Sequence, residues 1–137
     1  MPREWISYTS NQTGRTEVYV KPFPSGDGRW QVSTTGGVFS RWRGDGKEIF
    51  YLSAGTGGKV MAVTANAAGS TFEAGVPHEL FDSGYVNLTH SGGNWHTYAV
   101  SPDGQRFLIP RPVANLQGDA MAAPITVILN WTAALKR

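Results

Sequence analysis

The chain has 137 residues, no cysteine and a formal net charge of +2 at pH 7. This length suits one domain with a sizeable core, and the lack of cysteine excludes disulfides and thiolate metal sites. The twelve Lys and Arg residues are scattered singly apart from the closing Lys136-Arg137, so no basic stripe indicates a nucleic-acid partner.

No membrane association is expected from the sequence. No apolar stretch approaches the roughly 20 residues of a membrane span. The N-terminal residues 1–5 lack the apolar core of a signal peptide. We therefore expect a soluble chain, and the sequence does not identify its compartment.

The local patterns predict an all-β chain of short strands. Seventeen Gly and eight Pro residues favour turns between strands, and no long run of helix-forming residues occurs. Residues 66–77 and 110–124 are interpreted as loops, and 132–137 as a tail or a last helical turn. In chain order the predicted strands are 4–9, 17–20, 29–33, 39–42, 48–53, 59–63, 78–81, 95–100, 106–109 and 125–131.

Two Asp-Gly turns stand out between apolar runs. Asp45-Gly46 and Asp103-Gly104 are each followed within two positions by a basic residue and then by bulky apolar residues. Asp-Gly in this setting is a strong hairpin signal, because Gly adopts positive φ at little steric cost. We expect each Asp to support its own turn through side-chain to backbone hydrogen bonds.

The two turns belong to a repeat. Aligning the Tyr8 and Tyr51 strands gives a period of about 43 residues, within the range of about 40–45 for four-stranded propeller blades. With blade strands labelled A to D from the channel outward, the chain reads B-C-D, A-B-C-D, A-B-C. This predicts a single partial β-propeller domain of two and a half to three antiparallel blades, at about 1–37, 38–86 and 87–137.

The ordered motifs resemble a known family. A strand followed by Ser-Pro-Asp-Gly, a basic residue, an apolar strand and Val-Tyr-Val is similar to the TolB-like (WD40-like, PD40) β-propeller repeats. The chain further resembles the C-terminal propeller of bacterial serine/threonine kinase-type receptors. Gly44 replaces the usual Pro before Asp45, and the first unit has no Asp-Gly turn. The segments that carry the resemblance are 5–11, 17–20, 22–24, 41–48, 100–109 and 125–131.

The resemblance implies a sensing or protein-binding module in the bacterial cytoplasm or periplasm, without the kinase of its relatives. Propellers close with about four to eight blades, so a shorter arc exposes blade faces and strand edges. We expect two copies to form a six-bladed ring as a homodimer, with a partner strand beside Ile125–Trp131. A compact three-bladed fragment is the alternative.

Five residues are candidates for a ligand-facing surface at the channel: Arg41, Trp42, Arg43, Trp95 and His96. Arg offers a bidentate fork for carboxylate or phosphate, and Trp offers a stacking face. The competing interpretation is that Trp42 packs between blades while the arginines are solvated. A protein or a small molecule would be the ligand.

No catalytic residue, cofactor or metal is expected. His78, His90 and His96 show no convergence of the kind that a zinc site requires. Paired glycosidase acids lie roughly 5–10 Å apart, and we expect the repeat-related turns of Asp45 and Asp103 to be farther apart than that.

The sequence favours a non-enzymatic binding or scaffolding module. A propeller-borne hydrolase or lyase acting on sugar or peptide at the channel mouth is the alternative, and a purely structural fragment is a third possibility. Carboxylates in a pocket or a His with a strongly shifted pKa would favour the enzyme.

Overall fold

A computed structural model describes residues 4–24, 26–54, 58–83, 98–110 and 125–129. In these ranges the chain is all-β, and no helix there is long and apolar enough to cross a membrane. The described strands are β1 (Glu4–Ser10), β2 (Glu17–Phe23), β3 (Trp30–Gln31), β4 (Val38–Trp42), β5 (Glu48–Leu52), β6 (Lys59–Ala68), β7 (Thr71–Ala74), β8 (His78–Asp82), β9 (Ala99–Val100), β10 (Arg106–Pro110) and β11 (Ile125–Leu129).

These strands form three antiparallel sheets that follow one another along the chain. The first sheet has the order β1-β2-β3, and the third has the order β11-β10-β9. In the middle sheet β4, β5 and β6 are consecutive neighbours. The first part of β6 also pairs with β8, and its last four residues, 65–68, pair instead with β7. The long β6 therefore has β8 as its neighbour along its first part and β7 along its last part.

The middle sheet packs on both of its neighbours, and β5 shows why. Successive side chains of a strand point to opposite faces. Ile49 and Tyr51 enter the core shared with the first sheet, whereas Phe50 and Leu52 enter the core shared with the third. All four are at most 1% exposed, and full burial of such a side chain stabilises a fold by about 1.5–3 kcal/mol. Continuous apolar sequence in β5 thus reflects burial on both faces.

The two cores have different compositions. The core between the first and middle sheets includes Val18, Val20 and Val32 and is flanked by tryptophans. In the core between the middle and third sheets, Phe107 makes edge-to-face contacts with Phe50 and Phe81, with ring centroids 5.1 and 5.2 Å apart. Such aromatic pairs contribute about 0.5–1.5 kcal/mol beyond the area that they bury.

A buried carboxylate fastens the end of the first sheet. Glu17, only 1% exposed, accepts hydrogen bonds from the Gly36 amide and the Ser33 hydroxyl. Arg15 donates to the same carboxylate, with Nε 2.7 Å from Oε1. A buried charge is tolerated only when it is paired and hydrogen-bonded, and here all three kinds of partner are supplied by the first sheet and the loop that follows it.

Most predicted strands are confirmed, but the predicted loop at 66–77 is wrong. β6 continues to Ala68, and after the two residues Gly69 and Ser70 the chain returns as β7. The sequence analysis missed this hairpin because the alanines that end β6 have low β-propensity. Phe72, 5% exposed, anchors β7 in the core.

Two further differences concern the first sheet. β2 runs through Pro22, past the predicted end of that strand at residue 20, and β3 comprises only Trp30 and Gln31 of the predicted 29–33. Since β3 pairs only with Tyr19 and Val20, no strand faces the Pro22 nitrogen on that side. A proline cannot donate to a ladder, so it is accommodated where the strand is locally an edge. The predicted elements at 55–57, 84–97, 111–124 and 130–137 lie outside the described residues.

Candidate functional site

The turn between β4 and β5 is closed by its own backbone and side chains. The Gly46 amide donates to the Arg43 carbonyl over 2.9 Å, as in a four-residue β-turn. Gly46 has φ of +72°, which a glycine adopts readily. The Asp45 carboxylate accepts from the Lys47 amide over 3.0 Å. Short polar side chains of this type stabilise turns by replacing a backbone acceptor.

The Arg43 guanidinium is engaged on both sides of this turn. Its Nε and Nη2 each lie 2.8 Å from an oxygen of Asp45, and its Nη1 lies 2.9 Å from Oε2 of Glu48. The hydrogen bond from Arg43 lowers the pKa of Asp45 to about 2. The same contact raises the pKa of Arg43. The sequence analysis weighed a solvated Arg43, but this side chain is committed to two carboxylates.

The turn between β9 and β10 lies directly against the first one. The Gly44 amide donates to the Pro102 carbonyl over 2.8 Å. A Cβ atom at Gly104 would lie 2.9 Å from Cδ of Arg43, so the aliphatic part of Arg43 packs on the second turn. We expected the repeat-related turns to lie apart, whereas they are in contact.

Trp42 belongs to an aromatic cluster between the first and middle sheets. Phe72 lies at its centre, with its ring 6.3 Å from Trp42, 5.6 Å from Trp5 and 6.3 Å from Trp30. Trp5 and Trp30 meet edge to face at 5.4 Å. All three tryptophans are half-buried, so each contributes to the core and keeps part of its indole ring at the surface.

An open groove of about 590 Å³ runs between this cluster and the β4–β5 turn. This volume is within the range of about 300–1,000 Å³ that is typical of small-ligand sites. Its walls come from the start of β1, the end of β4 with the β4–β5 turn, and the last part of β6. The lining residues are Glu4, Trp5, Trp42, Arg43, Gly44, Asp45, Gly46, Lys47, Ala65, Asn66 and Ala67.

One backbone hydrogen bond and one side-chain hydrogen bond tie the walls of this groove together. The Ala65 amide donates to the Lys47 carbonyl over 2.9 Å, which ties β6 to the end of the turn. The Ser40 hydroxyl donates to the Ser7 hydroxyl over 2.8 Å, which ties β4 to β1. The β6 wall is therefore joined to the end of the turn, and the β4 wall is joined to β1.

The predicted site residues separate into four groups. Trp42, Arg43, Asp45 and Gly46 line the groove. Arg41 does not, because side chains alternate along β4 and its guanidinium instead lies 5.5 Å from the ring of Tyr98. Asp103 and Gly104 form the adjacent turn, and Trp95 and His96 lie outside the described residues.

Seven lining residues were not predicted as site residues: Glu4, Trp5, Gly44, Lys47, Ala65, Asn66 and Ala67. Trp5 was assigned to a strand and Asn66 to a loop, and neither position signals that they meet. One local indication was present: the charged Lys47 directly follows the Asp45-Gly46 turn. Because the groove combines three separate segments, local sequence patterns do not reveal it.

The two turn aspartates do not make an acid–base pair. Asp103 accepts from the Ser101 hydroxyl and from the Gln105 amide, and the Ser101 contact chiefly lowers its pKa. The pKa of Asp45 is also lowered. A general acid needs a pKa raised toward the working pH, so both carboxylates have the wrong shift for that role.

Within the described residues, no three His, Asp or Glu side chains are grouped closely enough to hold a metal ion. His78 begins β8 and is exposed, and His90 and His96 lie outside the described residues. A scan against protein-family models found no match, and searches of curated proteins and of solved structures found none either.

Proposed function

We propose that this chain is a non-enzymatic binding or scaffolding module, built as part of a TolB-like β-propeller. The observation that carries the proposal is the two-sided packing of the middle sheet. Its β5 side chains alternate between a core with the first sheet and a core with the third. A sheet buried on both faces by similar sheets that precede and follow it in sequence is the arrangement of neighbouring propeller blades.

The strand order supports the same interpretation. In the middle sheet β4, β5, β6 and β8 follow one another as an antiparallel meander, as strands A to D of a blade would. The first sheet then corresponds to strands B, C and D, and the third to strands A, B and C. β7 is an addition to this scheme, and its Phe72 supports the tryptophans of the groove.

We further propose that the outer faces of the first and third sheets bind a second copy, giving six blades in all. Leu108 lies between the buried Phe107 and Ile109 on β10 and is 42% exposed. Because side chains alternate along a strand, Leu108 faces away from the core. On the first sheet, the half-buried Tyr8 covers the buried Tyr19, with their ring centroids 5.8 Å apart, on the face opposite Val18 and Val20. Burial of such faces contributes roughly 25 cal/mol per Å².

A hydrolase or lyase at the same groove is the second hypothesis, and no specific observation in the described residues favours it. The carboxylates of Asp45 and Asp103 serve their turns and are ionised at neutral pH. The Arg43 guanidinium is already paired with Asp45 and Glu48. These groups hold the rim of the groove in place, which suits recognition of a ligand.

Light scattering at micromolar concentration tests the proposed assembly. We expect a mass twice that of the 14.8 kDa chain. The variant Leu108→Glu places a charge on the proposed contact face and should shift the equilibrium toward monomer. Val76→Glu is the matched control, because Val76 is 86% exposed between β7 and β8. A monomeric wild-type chain, or equal behaviour of the two variants, would contradict the ring.

A further inference from the structure

The groove between Trp5 and the β4–β5 turn has balanced charge. Of the charged residues that line it, Glu4 and Asp45 are acidic and Arg43 and Lys47 are basic. Arg43 and Asp45 neutralise each other through two hydrogen bonds of 2.8 Å. Phosphate-bearing or polyacidic ligands require an excess of positive charge, which this groove does not have. Its ligand should therefore be uncharged.

Large aromatic residues and small residues both line the groove. Trp5 and Trp42 are half-buried and contribute indole surface to the walls. Indole is a large, rigid surface that packs against flat apolar faces. Small residues also line the groove: Gly44, Gly46, Ala65 and Ala67. This arrangement leaves space for a flat ligand against the aromatic walls.

The polar rim offers both hydrogen-bond donors and acceptors. Lys47 has an ammonium donor, Glu4 has carboxylate acceptors, and the Asn66 carboxamide has both. A hydroxyl group donates one hydrogen bond and accepts two, so a polyhydroxylated ligand satisfies all of these groups. A proline-rich peptide offers mainly carbonyl acceptors and would leave the Glu4 carboxylate desolvated without a donor, which is costly.

We propose that this groove binds a neutral oligosaccharide. The apolar C–H faces of the sugar rings pack on Trp5 and Trp42, and the hydroxyls bond to Lys47, Glu4 and Asn66. This inference rests on the proposed function, since it names the ligand class of that binding module. The ligand is bound without bond cleavage, because Asp45 and Arg43 act as fixed parts of the rim.

Isothermal titration calorimetry on the full chain tests the proposal, with cellotriose, maltotriose and N-acetylated chitotriose as probes at millimolar concentrations. We expect at least one trisaccharide to bind saturably, and its binding to shift the indole N–H resonances of Trp5 and Trp42 in an NMR spectrum. Lys47→Ala and Asn66→Ala should each weaken binding about tenfold, as expected for loss of one hydrogen bond to ligand.

Asn11→Ala is the matched control for Asn66→Ala, because Asn11 is exposed in the turn that follows the far end of β1. It should bind the sugar as tightly as the wild type. Absence of binding by all three sugars to a folded chain, binding that survives both groove variants, or binding of a proline decapeptide in place of the sugars would overturn the proposal. Light scattering on the same samples shows independently whether the assembly exists.

Discussion

The β4–β5 turn and the β9–β10 turn have the same backbone. Gly46 and Gly104 both have φ of +72°. In each turn the glycine amide donates to the carbonyl three residues earlier, over 2.9 and 2.8 Å. In each turn the aspartate accepts from the amide two residues later, over 3.0 Å. The two segments are thus copies of one local structure.

The two turns differ in the group that holds the aspartate. Arg43, at the first position of its turn, donates two hydrogen bonds of 2.8 Å to the Asp45 carboxylate. In the second turn that position is Ser101, whose hydroxyl donates to Asp103 and accepts from the Arg106 amide. A long charged side chain and a short hydroxyl therefore meet the same requirement. The long one also reaches Glu48 and covers the neighbouring turn.

The surroundings of the two glycines differ more. A Cβ at Gly46 would meet no atom within 4 Å, whereas one at Gly104 would lie 2.9 Å from Arg43 and 3.0 Å from Phe50. Gly46 is needed only for its backbone conformation. Gly104 is needed for its conformation and for the close approach of the middle and third sheets. The same Asp-Gly motif therefore has different packing requirements in the two turns.

The largest expected effect is the difference in stability between the alanine variants of these two glycines. Gly46→Ala should lower the free energy of unfolding by about 1 kcal/mol, the cost of a left-handed backbone for a residue with a Cβ. Gly104→Ala adds an overpacking cost of about 1–3 kcal/mol against Phe50, whose ring is fully buried. Urea denaturation of both variants measures the difference. Equal losses would show that the two turns are equivalent in packing as well as in backbone.

A second variant tests the contact between the turns. Proline suits the second position of such a turn, where Pro102 already occurs, so local propensity alone predicts that Gly44→Pro stabilises the chain by about 0.4–1 kcal/mol. The substitution also removes the amide that donates to the Pro102 carbonyl over 2.8 Å. A Cβ at Gly44 would also lie 2.8 Å from the Pro102 carbonyl oxygen. We expect the lost hydrogen bond and this close contact to dominate, so that the free energy of unfolding falls by about 1–2 kcal/mol.

Pro102→Ala is the counterpart of that variant, because it keeps the accepting carbonyl and removes only the rigid ring. Urea denaturation should show that this variant loses no more than about 1 kcal/mol of the free energy of unfolding. A neutral or stabilising Gly44→Pro would mean that the contact between the turns contributes nothing. The result also bears on the difference between Gly44 and Pro102, which occupy the same position in the two turns.

Local patterns were sufficient for most of the described strands and for both turns. The alternating or continuous apolar runs of β1, β5 and β10 and the two Asp-Gly signals are properties of neighbouring residues, so they can be read without the fold. The β6–β7 hairpin was missed because Ala65–Ala68 has weak strand propensity. It forms because tertiary packing buries Phe72 among Trp5, Trp30 and Trp42.

The candidate site was less predictable than the fold. Trp42 and Arg43 were singled out from their chemistry, and they line the groove. Trp5 and Asn66 meet them only because the first sheet stacks on the middle one and β6 extends beyond β5. The direction of Arg41 toward Tyr98 follows from strand alternation. It required the register of β4, which the sequence analysis did not establish.

The smallest expected effect is a difference in acid sensitivity between the two turns. Asp45 has a pKa of about 2 in the folded chain, below the ordinary value of 3.8 for an aspartate. A lowered folded pKa contributes stability above the unfolded pKa, and that stability is lost as the pH falls through the folded pKa. The contribution of Asp45 should therefore disappear between about pH 4 and pH 2. It is small, because the carboxylate is fully exposed.

The variant Arg43→Gln distinguishes the two aspartates. It removes the main cause of the lowered Asp45 pKa and should move that pKa back toward 3.8, while the pKa of Asp103, which Ser101 lowers, stays where it is. NMR titration of the two side-chain carboxyl carbons measures both values in one experiment. If both pKa values rise together, the contact between Arg43 and the second turn governs Asp103 as well, and the two turns act as one electrostatic unit. If only Asp45 moves, each turn is held by its own first residue, Arg43 in one and Ser101 in the other.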